Sequence, residues 1–170
     1  MDSGPLPDVT KLPVDSGAEV DAVVIDAFDA GCAQDGAVGG IGVPAGSSAT
    51  ASNSYDSAPA DAIDGNLGTV WNAGGFTGSI TITFPTPQTI DGVKIFANAL
   101  PTTTETYTIF GIQDQQTTQL AQSTQNVDQG SQLATIAIAN AAYDGIRIDV
   151  QGNASWVAIN EIALATTYCP

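Results

Sequence analysis

The sequence predicts an all-β protein of antiparallel strands, built as a sandwich or jelly roll. From about residue 48 onward, apolar and polar residues alternate in short runs. SITITF is the clearest run, with Ile80, Ile82 and Phe84 on one face. Turn residues separate these runs at roughly regular spacing. Thr, Gln and Asn fill most outward positions, where Lys and Glu are usual.

The individual strands follow from the same alternation. SITITF is expected to end at Pro85 and Pro87, because proline cannot donate to a strand ladder. IDGVKIFAN comes next, with Val93 and Ile95 facing inward. The remaining strands are expected in TYTIFGI, TQLAQST, LATIAIA, GIRIDV and WVAINEIAL.

Residues 1–44 are expected to form an acidic N-terminal arm or linker ahead of a domain at 45–170. Residues 1–14 carry three prolines and little to bury. Residues 16–31 favour a short amphipathic helix with a capping box at Ser16 and Glu19. The β-branched Val-Val-Ile run favours a strand instead. We expect the arm to dock on its own domain or on a neighbouring subunit.

Charge and composition exclude several function classes. The formal net charge is −15, and the only basic residues are Lys11, Lys94 and Arg147. Nucleic acids and anionic membranes attract basic surfaces, so neither is an expected partner. No signal peptide or membrane-spanning helix is visible. We therefore expect an extracellular or virion setting without membrane insertion.

No catalytic group stands out, and the sequence predicts a protein that is not an enzyme. There is no histidine, the commonest general base. The two cysteines are far apart, so no nucleophile has an evident base. Asp144 and Asp149 form the nearest carboxylate pair of the kind a glycosidase uses, but ordinary surface acids explain them better.

Cys32 and Cys169 lie near the two ends of the patterned region. Two unrelated thiols are one interpretation. We favour a disulfide that joins the ends, which would close a long loop and stabilise the fold by about 4–5 kcal/mol in the chain-entropy model. Such a bond implies an oxidising compartment.

AIDGNLGTVW, residues 62–71, is the strongest candidate for a metal site. Asp64, Asn66 and Thr69 offer side-chain oxygens on one tight loop, and Ca²⁺ takes roughly six to eight oxygen ligands. Glu161 is a carboxylate within an apolar strand, where a buried charge needs a partner. A plain Asp-Gly turn is the alternative interpretation.

An ordered set of motifs runs from SATASNSYDSAPADAIDGNLGTVWNA through ITITFPTPQTIDGVKIFAN to GIRIDV and a closing Glu-Ile-x-Leu. This set resembles the discoidin family, the type C domain of coagulation factors that many bacterial carbohydrate-binding modules share. The resemblance covers about residues 45–166. The matching positions are Ser52, Tyr55, Ala62, Asp64, Gly65, Thr69, Trp71, Ile90, Val93, Ile95, Glu161, Ile162 and Leu164.

The resemblance implies an eight-stranded antiparallel jelly roll with one structural Ca²⁺ that acts as a staple and not as a catalyst. Trp71 is then expected to pack beneath the ion as core, rather than to serve as a ligand platform. Family members often join their termini by a disulfide, which supports the pairing of Cys32 with Cys169. The implied calcium ligands are Asp64, Asn66, Thr69, Glu161 and carbonyls near Ala62.

In the lectin-like members, sugars bind in shallow loops at one end of the sandwich. Packing among the loops is the alternative role for Phe76 and Trp156, and a surface ion pair is the alternative for Arg147. The usual cluster of exposed aromatic and basic residues is missing from the sequence, which weakens the sugar-binding interpretation. The candidate glycan-binding residues are Asn72, Phe76, Asn153, Trp156 and Arg147.

These observations favour a non-catalytic structural or adhesion protein of an extracellular assembly, such as a virion surface or capsid decoration protein. Its arm would bind other copies or neighbouring subunits, and its jelly roll would bind cell-surface glycans. The alternative is a secreted, calcium-stapled carbohydrate-binding module detached from a larger glycan-active enzyme. Fold class alone does not choose between these roles.

Overall fold

The computed structural model describes residues 42–130 and 132–165, which form an all-β domain of antiparallel strands. These residues contain seven strands and one short 3-10 helix, which lies between the first two strands. The strands are β1 (Ser48–Ala51), β2 (Trp71–Asn72), β3 (Thr77–Ala97), β4 (Thr103–Gln113), β5 (Gln116–Val127), β6 (Gln132–Gly152) and β7 (Ala158–Ala165), and the helix spans Pro59–Ala62.

The two longest strands, β3 and β6, each have 21 residues and run through both layers of the sandwich. The first part of β3 pairs with β1 and with residues 145–151 of β6. Its second part pairs with β7 and with the first half of β6, between residues 132 and 143. β4 and β5 extend the first layer beside β6, and β2 extends the second beside β7. The prediction of an antiparallel all-β jelly roll is confirmed.

The strand count differs from the predicted eight, because the described residues form seven strands. β3 continues past Pro85 and Pro87, where the sequence predicted a strand end. The register of β3 against β6 is interrupted between Thr83 and Gln88, so neither proline removes a ladder hydrogen bond. LATIAIA and GIRIDV are likewise two parts of the single strand β6.

The core consists of alternate side chains that face between the layers. Trp71 is also fully buried, and its indole N–H donates to a backbone carbonyl at 3.0 Å. Its predicted role as core is confirmed. Each large apolar side chain buried in this way contributes about 1.5–3 kcal/mol. The predicted inward residues Ile80, Ile82, Val93 and Ile95 are all fully buried.

Glu105 on β4 is an unexpected member of this core, because it is a fully buried carboxyl group. The Tyr107 hydroxyl donates to Glu105 Oε2 at 2.6 Å. Burial raises the pKa of Glu105, against the lowering effect of this hydrogen bond. The alternation in β4 indicates this burial, since Glu105 lies on the same face of the strand as Tyr107 and Ile109. The sequence analysis did not predict it because carboxyl groups are rarely found at core positions.

The expected N-terminal arm lies almost entirely outside the described residues. Of residues 1–44, only 42–44 are described, and Gly42 O accepts a hydrogen bond from Leu164 N–H at 3.4 Å. The expected helix or strand at 16–31 and the expected Cys32–Cys169 disulfide lie outside the described ranges and stay predictions. Within the described ranges, no helix is long and apolar enough to cross a membrane.

The passage of β6 from one layer to the other depends on Gly145. This residue lies opposite Thr83, where the register of the two long strands is interrupted. A Cβ at this position would lie 2.4 Å from the backbone oxygen of Ile82. That distance is far inside van der Waals contact, and a backbone oxygen cannot rotate away. The two strands can therefore approach this closely only because residue 145 has no side chain.

We predict that Gly145→Ala lowers the free energy of unfolding by about 2 kcal/mol or more, because β6 must move away from β3 to admit the methyl group. Gly75→Ala is the matched control, since its added Cβ would lie 3.9 Å from Thr77 O, an ordinary contact. Urea unfolding of both variants measures the effect. Equal midpoints for the two variants would contradict the prediction.

Candidate functional site

Residues 63–70, called the Asp64 loop here, connect the short helix to β2. The Asp64 carboxylate accepts hydrogen bonds from the Asn66 N–H at 2.8 Å and from the Thr69 hydroxyl at 2.9 and 3.0 Å. Gly65 has a φ of +77°, a left-handed conformation that favours glycine. The hydrogen bonds of the carboxylate and the left-handed glycine together turn the chain sharply at this loop.

Four acceptor oxygens lie around the Thr69 hydroxyl, which has one proton to donate. Both Asp64 carboxylate oxygens lie within 3.0 Å of Thr69 Oγ1. The backbone oxygens of Asn66 and Asp61 lie 2.6 and 3.4 Å from it. One hydroxyl proton can satisfy only one of these acceptors at a time. A set of oxygens with too few donors is the kind of ligand set that a hard cation such as Ca²⁺ accepts.

Glu161 on β7 lies against the Asp64 loop and is fully buried. Its Oε2 accepts the Gly65 N–H at 2.9 Å, whereas its buried Oε1 has no hydrogen-bond partner among the described residues. Burial raises the pKa of Glu161 to about 7, against the lowering effect of the Gly65 N–H, and the Asp64 carboxylate raises it further. A cation beside these carboxylates would offset both the burial and the repulsion.

Asn160, which the sequence analysis did not single out, fastens the same loop to β7. It is only 7% exposed, and its Nδ2 donates to the carbonyls of Leu67 at 3.1 Å and Thr69 at 3.0 Å. A signal was present, because Asn160 precedes Glu161 within an otherwise apolar strand, and buried amides need hydrogen-bond partners.

The structure brings Asp64, Thr69 and Glu161 together at this loop. The side-chain oxygen of Asn66 instead accepts the Gly68 N–H at 2.9 Å, so only the backbone oxygen of Asn66 faces Thr69. The helix carbonyl that approaches Thr69 belongs to Asp61, and Ala62 is buried beside it. The described residues contain no group of three or more Asp, Glu, His or Cys side chains placed to hold a metal. An ion here would depend on two carboxylates, a hydroxyl and backbone oxygens.

A second feature is an open cleft of about 440 Å³ between three loops at one end of the sandwich. Backbone hydrogen bonds hold these loops together, including Gly152 N–H to Phe76 O at 2.7 Å and Asn98 N–H to Ala158 O at 3.0 Å. The cleft is lined by Val70, Asn72, Phe76, Asn98, Leu100, Pro101, Ala154, Ser155, Trp156 and Ala158.

Three exposed aromatic side chains gather at this cleft. Phe76 and Trp156 line it, and they are 51% and 42% exposed. Tyr55 is 54% exposed and makes edge-to-face contact with Trp156, with ring centroids 5.3 Å apart. The Tyr55 N–H donates to Asn72 O at 2.8 Å, which holds Tyr55 at this edge. The sequence analysis missed this cluster because its members are distant in the chain.

Asn72, Phe76 and Trp156 are therefore the predicted glycan-binding residues that the structure brings together. Asn153 borders the cleft, but its Oδ1 accepts hydrogen bonds from Thr103 Oγ1 at 2.8 Å and from Thr104 N–H at 3.0 Å. These bonds fasten the turn after β6 to the start of β4.

Arg147 lies elsewhere, on the outer face of β6. Its Nε is 3.0 Å from Asp149 Oδ1, and its guanidinium lies 4.3 Å from the centre of the Phe110 ring. These contacts agree with the alternative role of Arg147 as a surface ion pair. Arg147 and Lys94 are the basic side chains of the described residues, and neither lines the cleft. The cleft lining carries no charged side chain at all.

A family described as "NedA-like, galactose-binding domain" matches residues 61–148, just over half of the chain. No curated protein matches the chain.

Solved structures resemble the same domain. The CBM32 of AlyQ in complex with 4,5-unsaturated mannuronic acid is 27% identical, with a TM-score of 0.60 over 69% of this chain and 92% of that chain. A truncated AlyQ with CBM32 and alginate lyase domains is 26% identical, with a TM-score of 0.61 over 70% of this chain and 31% of that one. The family 32 CBM from C. perfringens NanJ in complex with galactose is 21% identical, with a TM-score of 0.58 over 71% and 93%.

These matches give the chain the fold of a carbohydrate-binding module and confirm the resemblance to discoidin domains. The family match rests on the sequence, and each of these structural matches covers 69–71% of the chain. The chain belongs to the NedA-like, galactose-binding domain family, a group of F5/F8 type C, discoidin-like domains.

Proposed function

We propose that this chain is a non-catalytic carbohydrate-binding module that holds an uncharged glycan in the cleft lined by Phe76 and Trp156. One observation carries the proposal: Tyr55, Phe76 and Trp156 are exposed together at an open cleft between loops. Clustered exposed apolar side chains commonly mark binding sites. The flat apolar face of a sugar ring can stack on such rings, while polar groups nearby fix its orientation.

The polar groups of the cleft are amides and a hydroxyl that are held in place. Asn72 Oδ1 accepts the Gly74 N–H at 2.7 Å, and Asn98 Oδ1 accepts the Gly130 N–H at 3.0 Å. Each bond fixes the plane of an amide that can both donate and accept. Fixed amides beside aromatic rings suit the hydroxyl groups of a sugar, which also donate and accept.

The charge of the chain favours an uncharged glycan. Carboxylate and sulfate groups are usually bound by Arg or Lys, and no such side chain lines the cleft. The formal net charge of −15 adds a general repulsion toward anions. The CBM32 of AlyQ has been solved with a uronic acid, so this chain is expected to differ from that module in ligand charge.

We also propose that the Asp64 loop binds one structural Ca²⁺. Asp64, Thr69 and Glu161 would hold it, together with the backbone oxygens of Asp61 and Asn66. The buried, unpartnered Glu161 Oε1 and the crowded oxygens around Thr69 support this assignment. The ion would supply no chemistry and would only fix the loop. Because the loop ends at Val70 and leads into Asn72, which both line the cleft, fixing the loop would also stabilise one wall of the cleft.

The biological setting stays a prediction. A role at the surface of an extracellular assembly, such as a virion, depends on residues 1–44, most of which lie outside the described ranges. The alternative, a module detached from a glycan-active enzyme, is supported by the AlyQ chain, which carries its module together with an alginate lyase domain. Both settings use the same non-catalytic cleft.

We predict that Trp156→Ala weakens binding to the best glycan by roughly 30-fold, which corresponds to about 2 kcal/mol, because the largest ring of the cleft is lost. The ligand is first identified on a glycan array and then titrated by calorimetry. Leu133→Ala is the matched control, since Leu133 is an apolar residue of similar exposure (47%) that does not line the cleft. Unchanged affinity in folded Trp156→Ala would exclude the cleft as the binding site.

A second prediction concerns ligand charge. Neutral hexoses and N-acetylhexosamines should bind, whereas uronic acid oligomers should bind at least about tenfold more weakly, because the carboxylate meets no cation. The array is repeated at low and high salt. Preference for uronic acids at both salt concentrations would contradict the charge argument while leaving the cleft itself as the site.

A third prediction concerns the ion. Added Ca²⁺ should raise the melting temperature of the wild type, with a stabilisation of about 2.7 kcal/mol at a concentration of one hundred times Kd. Asp64→Asn should abolish this shift because it removes a carboxylate ligand. Asp114→Asn is the control, since it removes a carboxylate at the turn between β4 and β5. A wild-type melting curve that calcium leaves unmoved would show that the loop is a plain turn.

A further inference from the structure

β5 forms a long sheet edge that carries no charge. Among the described residues it pairs with β4 alone. The edge strands β1 and β2 have only four and two residues, whereas β5 has 12. Natural proteins protect sheet edges by keeping them short or by adding charges, prolines or bulges. β5 contains neither charge nor proline, and its one bulge lies at Leu120, between the pairs of Ile109 and Phe110.

The other long edge lies on the first half of β6, in the facing layer. It is also uncharged, but its register against β3 breaks after Ala137, so its regular part is shorter. Residues 115–143 cover both edges and the turn between them. Asp128, which lies in that turn, is their only charged residue. In a chain with a net charge of −15, two copies repel each other over most of their surface. Close approach is opposed least at this uncharged edge.

We propose that β5 is the dimerisation edge of this protein, and that Ala121–Val127 pairs antiparallel with the same run of a second copy. This run pairs with β4 without interruption and lies beyond the bulge. A two-fold axis at Thr124 makes the contact self-complementary, as a closed dimer requires. In this register Gln122 faces Asn126 of the second copy, and Asp128 faces Leu120, so no carboxylate meets its equivalent.

The side chains on the outer face of β5 are already aligned for such an extension. Across the β4–β5 pair, Gln122 Nε2 donates to Thr108 Oγ1 at 3.1 Å, and the Thr124 and Thr106 hydroxyls lie 2.9 Å apart. These cross-strand bonds fix the Gln122 and Thr124 side chains on the face that β5 shares with β4. A second β5 would continue the same ladder of hydroxyl and amide groups and would complete the backbone hydrogen bonds of the edge.

Sedimentation equilibrium of the full-length chain tests the proposal, with Thr124→Glu and Thr118→Glu compared to the wild type. Both positions are exposed on β5, but only Thr124 lies on the proposed axis, where two introduced carboxylates would face each other. We expect dimers for the wild type and Thr118→Glu, and a dissociation constant at least about tenfold higher for Thr124→Glu. A monomeric wild type would overturn the proposal, and so would equal dimerisation by both variants.

Hydrogen exchange and a deletion of the N-terminal residues test the same edge independently of the two substitutions. Hydrogen exchange of the wild type should show protection in Ala121–Val127 that rises with protein concentration, and unchanged protection would overturn the proposal even if a variant fails to fold. Deletion of residues 1–41 should leave the dimer intact. A dimer that is lost on this deletion but kept in Thr124→Glu would assign assembly to the N-terminal arm instead. None of these outcomes depends on glycan binding, so this inference and the proposed function are tested separately.

Discussion

The pairing of β3 with β6 is the constraint on which the rest of the structure depends. Both strands pass through the two layers, so a single strand pair, with register shifts after Thr83 and after Ile90, joins the halves of the sandwich without a connecting loop. The close approach at Gly145 and Ile82 permits this passage, because a side chain at 145 would force the strands apart. The shared core then forms from residues of both halves of each strand, including Ile82 with Ile95 and Ile136 with Ile148.

The cleft and the Asp64 loop both lie at the margins of this strand pair. The cleft lies between loops that precede β3, join β3 to β4 and join β6 to β7, so the long strands set the distances between its walls. The Asp64 loop is held on β7 by Glu161 and Asn160. The two buried glutamates differ in their surroundings. Each keeps one carboxyl oxygen without a hydrogen-bond partner among the described residues. Glu105 accepts the Tyr107 hydroxyl within the core, whereas Glu161 accepts a backbone N–H and lies beside the Asp64 carboxylate, and this second carboxylate is the reason why the proposed cation is assigned to Glu161.

The distribution of charge is common to the proposed glycan site and the proposed dimer edge. The cleft lining is uncharged, and so is the exposed edge of β5. A strongly acidic protein can make close contacts most easily where its own charge is absent, since desolvation and repulsion are smallest there. The proposed dimer would present two clefts at once, and weak sugar sites gain avidity when two of them engage the same surface.

Alternation in the sequence by itself determined the fold class and the inward residues of β3, because a period of two assigns each side chain to a face. The burial of Trp71 followed from the resemblance to discoidin domains. The ordered motifs also determined the family and drew attention to Asp64, Thr69 and Glu161. Alternation cannot tell whether a strand continues through prolines, so SITITF and IDGVKIFAN were predicted as two strands, whereas the structure has the single strand β3. Only the tertiary structure decided that Tyr55 meets Trp156, that Asn160 fastens the Asp64 loop, and that Arg147 lies on Phe110 away from the cleft. These contacts join residues from distant strands and loops, and their proximity is set by strand pairing rather than by any local pattern.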